Sequence, residues 1–205
     1  MKKNSKILSV VSASLALVAV FYLILATISY IVCFKTSVML PDLNKNEFLK
    51  IQIFGSSYSN DGSTVSGEIS ILDSDEHEIA KIERSWSGSY LAIDFVSVNI
   101  MDKAYTFPLR IYGKNSISGQ AKNDKNGTHL EKYYNYNNQC MLLGSGYTLE
   151  DRKNLYRLSS YATKKMSFFN FGHIRSFSVN LSNCKPYCYY SVSADNSGKV
   201  YISEI

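Results

Sequence analysis

The chain has 205 residues and a formal charge of +5, with 22 basic and 17 acidic side chains. The excess is local: Lys2, Lys3, Lys6 and Lys35 account for four of the bases and residues 1 to 35 hold no acid, which leaves 18 bases against 17 acids for the rest. A nucleic-acid binder needs a clustered basic face to neutralise phosphates, and a near-neutral domain excludes that class.

From Ile7 to Phe34 no residue is charged. About 20 residues in a helix span a bilayer core, whereas a cleavable signal peptide has a shorter apolar region ending at a small-x-small site. "LATISYIVCF" offers no such site before the domain. Lipidation of Cys33 needs a small residue before it, and Val32 stands there. Three lysines precede the run, so the positive-inside rule places the short N-terminus in the cytoplasm and the C-terminal domain across the membrane. The expectation is a signal anchor over residues 1–35, held in the membrane through 7–34, with a linker at 36–46. A single extracytoplasmic domain follows over 47–205.

After Pro41, strand patterns begin. "FLKIQIF" puts Leu49, Ile51 and Ile53 on one face, and "TVSGEISIL" does the same for Val65, Ile69 and Ile71, with Asp61-Gly62 turning between them. "IAKIERSW" reads as a third strand. "YLAIDFVSVNI" is apolar on both faces and reads as the most buried one. In "AYTFPLRIY", Pro108 cannot donate to a ladder, which predicts an edge or a bulge. Residues 113 to 128 read as an exposed loop. In "TLEDRKNLYRLSSYATKKM", Thr148 serves as N-cap, Glu150 and Asp151 suit the first turn, and Leu155, Leu158, Ala162 and Met166 share a helix face. "IRSFSVNL", "YCYYSVSA" and "KVYISEI" return to strand, the last two closed by Asp195-Asn196-Ser197-Gly198. The fold expected is mainly β: an N-terminal transmembrane helix, then an antiparallel β-sandwich or barrel-like domain with one helix.

Cys184 and Cys188 bracket three residues and are the disulfide candidates; Cys140 is an alternative partner for either. No cofactor or metal site is expected. "DSDEHE" gathers Asp73, Asp75, Glu76, His77 and Glu78, but an EF-type loop counted from Asp73 meets Glu78 where glycine belongs and Arg84 where a bidentate glutamate belongs. A thiol hydrolase centred on Cys140 with His129 or His173 has no local motif behind it. "VMLPDL" loosely resembles the Ser-Met-x-Pro box of membrane-anchored signal peptidases at Met39 and Pro41, but Val38 occupies the nucleophile's position and rules the activity out. A pilin-like helix would carry a glutamate that residues 1 to 35 lack.

Sixteen tyrosines remain. "KYYNYNNQ" makes Tyr133, Tyr134 and Tyr136 the candidate binding face, because a tyrosine offers a large ring with a polar tip to a protein or glycan. The functional expectation is a membrane-anchored extracytoplasmic binding or structural protein of the cell envelope. The alternatives are the thiol hydrolase and an accessory subunit of a membrane complex.

Overall fold

The computed structural model describes residues 2–40, 47–59, 62–100, 103–115, 127–163 and 173–205. In chain order the elements are α1 (Lys2–Met39), β1 (Glu47–Ser59), β2 (Gly62–Leu72), β3 (Glu78–Ser87), β4 (Tyr90–Ile100) and β5 (Lys103–Lys114). Then come β6 (Thr128–His129), α2 (Glu131–Tyr134), β7 (Asn135–Tyr136), β8 (Gln139–Cys140), α3 (Leu149–Thr163), β9 (Ile174–Asn180), β10 (Tyr189–Ala194) and β11 (Val200–Glu204).

Two antiparallel sheets face each other as a sandwich. One has the order β11-β10-β1-β2-β3 and the other β6-β5-β4-β9. The registers explain the core. Leu49 pairs with Ile71 and Val192, and Ile51 with Ile69 and Tyr190, so the alternation read in each strand converges on one buried face. The Phe48 ring of β1 meets the Phe95 ring of β4 edge-on across the gap. Trp86 of β3 donates its Nε1–H to Thr128 of β6, which ties the two sheets at a second point.

β4 is central in its sheet, and only Tyr90, Asp94 and Asn99 along it escape burial. That is the both-sided burial its apolar run predicts. Pro108 sits where β5 bulges: Asp94 pairs with Arg110 but Phe95 with Pro108, and β6 covers β5 only at Arg110 and Ile111. The missing N–H of proline is thereby kept out of a continuous ladder.

α3 starts as the sequence predicts. Thr148 Oγ1 accepts the Asp151 N–H and the Asp151 carboxylate accepts the Thr148 N–H, a reciprocal capping box. Leu155, Leu158 and Ala162 are buried along its inner face; Met166 lies outside the described residues. The last hairpin is closed by the Asp195 carboxylate, which accepts the N–H groups of Ser197 and Lys199, while Gly198 takes φ 77, a conformation that favours glycine.

Two expectations shift. α1 runs to Met39, past the expected end at residue 35, and residues 41–46 of the expected linker lie outside the described set. Residues 131–140, to which the sequence assigns no element, fold as a one-turn helix followed by a two-residue hairpin, with Asn137 and Asn138 both at positive φ. An Asn-Asn pair suits that mirror-image turn.

Candidate functional site

The polar tip of each tyrosine in "KYYNYNNQ" goes somewhere different. Tyr133 is half-buried against the core, with Lys132 over its ring. Tyr134 is wholly buried, and its hydroxyl donates to the Pro108 carbonyl at 3.0 Å. Only Tyr136 is open, at 69% exposure. Of the three, Tyr134 contributes nothing to the surface, and Tyr136 alone presents its ring openly to solvent. The turn of α2 directs Tyr134 inward, and a proline bulge supplies the carbonyl that its hydroxyl needs. The tyrosines that do stand out are Tyr58, Tyr187, Tyr189 and Tyr201, with Tyr58 at 69% and Tyr187 at 76%.

The cysteines are free thiols among the described residues, and the Cys184–Cys188 bond is not formed in this structure. Cys140 is sealed in the core, where burial pushes its thiol up to about 12. A thiol that far above neutral supplies no thiolate nucleophile. His129 is exposed at the end of β6, and His173 lies against α1. Cys184 is half-buried and raised to about 11, mainly by burial, with the Glu204 carboxylate adding to it. Cys188 is raised chiefly by its hydrogen bond to Glu204. The side chain of Cys33 lies outside the described set.

The acidic turn is a clamp. Donor atoms of Asp73, Asp75 and His77 lie within 4.8 Å of one another. The Asp73 carboxylate accepts the N–H groups of Asp75 and His77, each at 2.9 Å. Asp75 accepts the Ser145 N–H at 2.8 Å, and Ser74 Oγ accepts the Gly144 N–H at 2.7 Å. Any side chain at position 144 would overlap the Asp75 carboxylate. Asp73 therefore closes its own turn, while the Asp75 carboxylate and the Ser74 hydroxyl bind that turn to the 144–145 loop. A hard cation wants six or more oxygens, and three donors fall short.

Asp94 is equally committed. Arg110 grips its Oδ2 through Nη2 at 2.7 Å and Nε at 3.2 Å, while Tyr112 and Ser178 donate to Oδ1. This joins β5, β4 and β9 on the surface and leaves no free acceptor for a substrate.

The remaining feature is the collar where α1 meets the domain. No residue of the apolar window Val11–Ile28 is buried, and α1 includes a stretch long and apolar enough to cross a membrane. Just beyond it the environment reverses. Thr36, Ser37 and Leu40 are 4%, 4% and 3% exposed. The Tyr105 hydroxyl donates to the Ser37 carbonyl at 3.3 Å, α1 packs along α3, and the Tyr30 ring lies 5.3 Å from the His173 ring. The nine helical steps from Ile28 to Ser37 rise about 14 Å. The sandwich thus begins directly above the apolar stretch. Burial of Thr36 and Ser37 is a tertiary effect that a short polar pair in the sequence does not announce.

Comparison with protein-family models, curated proteins and solved structures finds no match for this chain.

Proposed function

We propose that this is a single-pass membrane protein that holds a β-sandwich binding or structural module on the extracytoplasmic face of the cell envelope. The observation that carries this reading is the two-part helix: an apolar stretch with no protein cover, joined without interruption to a segment built into the domain core. An apolar surface of that length is stable in hydrocarbon and costly in water. The lysines before it and the balanced charge after it favour a cytoplasmic N-terminus. The surface chemistry favours binding over catalysis. The buried thiol, the clamped carboxylates and the saturated Asp94 are each occupied by structural work, whereas large aromatic side chains stand exposed.

The test is the side of the membrane reached by a reagent. In intact cells, a membrane-impermeant maleimide is expected to label Tyr136→Cys in a background without the native cysteines, while Lys3→Cys is labelled only after permeabilisation. Labelling of Lys3→Cys alone in intact cells would reverse the topology.

A further inference from the structure

The two neighbours of β1 differ in length. On one side β2 accompanies it along its whole outer half, to the closing pair Ser59↔Gly62, and β3 accompanies β2 as far as Thr64↔Ser87. On the other side β10 stops at Gln52↔Tyr189. The Tyr187 N–H gives one last bond to the Ile53 carbonyl at 2.7 Å, and the chain departs. From Phe54 to Ser59 no described strand lies on that side of β1. Six residues make a ledge about 20 Å long.

The main-chain groups on this ledge can be assigned. Ser63, the partner of Tyr58, sends its carbonyl to the Gly88 N–H of the next turn, away from β1. Tyr58↔Ser63 is therefore a pair without mutual hydrogen bonds, and the N–H and C=O of Tyr58 point to the open side; two residues back, so do those of Ser56. Sheet edges of this kind are ordinarily defended by charge, proline or shortness. The other edges follow that rule. β3 carries Glu78, Lys81, Glu83 and Arg84, β9 carries Arg175, β11 carries Glu204, and β6 is two residues long. The ledge, "FGSSYS", has no charge and no proline, and Ser56 to Ser59 are all exposed.

The geometry points to strand addition: an extended, uncharged segment of another polypeptide pairs antiparallel with Phe54–Ser59, continuing the line of β10. Recognition comes from the main chain, with the Tyr58 ring flanking the added strand. Neighbouring hydroxyls are engaged with each other, Ser66 with Ser85 at 2.7 Å and Ser63 with Asn115 at 2.7 Å, so they do not compete for it. A second copy of this chain is the competing occupant, and the mass of a crosslinked adduct tells the two apart.

This inference rests on the binding reading but not on the side of the membrane. The experiment uses the full chain in its native membrane with the photo-crosslinking residue p-benzoylphenylalanine in place of Tyr58. The expected result is one adduct heavier than the 23.1 kDa chain. It is reduced tenfold or more by Ser56→Pro, which removes the outward N–H, and is unchanged by Ser56→Ala or Ser57→Ala. Proline is tolerated where the N–H faces away from the ladder. Should Ser56→Pro fail to keep its circular dichroism spectrum, Ser57→Lys takes its place as a charge on the edge, with the same loss expected. No adduct, an adduct indifferent to these variants, or an adduct of twice the chain mass would each overturn the proposal. The maleimide test on Tyr136→Cys separates that failure from a failure of topology.

Discussion

The two ends of the sandwich are built on opposite rules. At the helix end, polar groups are buried and satisfied: Thr36 and Ser37 lie inside, Tyr105 reaches the Ser37 carbonyl, and His173 both accepts the Asn99 N–H through its carbonyl and stacks near Tyr30. At the far end Ser56 to Ser59 are exposed, Ser63 and Ser89 beside them are half-buried, all of them carry hydroxyls, and a strand runs on without its neighbour. On the proposed reading, the contrast separates attachment from recognition. One end has its hydrogen-bonding capacity used up by the fold, and the other keeps main-chain capacity in hand.

Four substitutions test that contrast. Leu40→Ala at the helix end should have the largest effect, about 2–5 kcal/mol lost in denaturant unfolding of the full chain in detergent, because a fully packed leucine leaves a cavity. A loss below about 0.5 kcal/mol would mean that the collar is only loosely docked. Tyr105→Phe removes one buried hydrogen bond to Ser37 and should cost about 1 kcal/mol in the same assay. Ser57→Ala at the far end should stay within about 0.5 kcal/mol, as for exposed positions generally. A larger loss there would erase the distinction between the ends.

The smallest effect is expected in acid. The Asp195 carboxyl is lowered from 3.8 to about 2, first by the Ser197 hydroxyl and then by the Lys199 N–H. Its folded value lies below its unfolded one, so the stabilisation is complete above about pH 4 and fades as pH falls through 2. Asp195→Asn should flatten the fall of the thermal midpoint between pH 4 and 2. An unchanged slope would show that the turn does not feel this charge.

Much of the fold was legible because local signals agreed with the tertiary outcome. β4 has an apolar run with no polar face, α3 has a capping box and a helical period, and the last hairpin has an Asp-Asn-Ser-Gly turn. What escaped was set by partners distant in sequence. Thr36 and Ser37 look like linker until Tyr105 is brought to them, 68 residues on in the case of Ser37. Tyr134 looks like surface until the β5 bulge presents the Pro108 carbonyl. The ledge is invisible in "FGSSYS" itself, since it arises from where β10 stops. The signal that was available is the Asn137-Asn138 pair, which marks the hairpin that turns Tyr134 inward and Tyr136 outward.

The uninterrupted passage of α1 into the sandwich has a mechanical consequence. β1 alone is 13 residues, about 43 Å of stiff strand leading away from the helix end. Burial of Thr36, Ser37 and Leu40 couples the outer end of α1 to the domain, so on the proposed membrane reading the two would tilt together. Membrane helices change tilt to match bilayer thickness. A change of roughly 10° would swing the tip of that strand by about 7 Å, on the order of one to two strand spacings. On that reading, the reach of the outer end would follow the thickness of the membrane that holds the other.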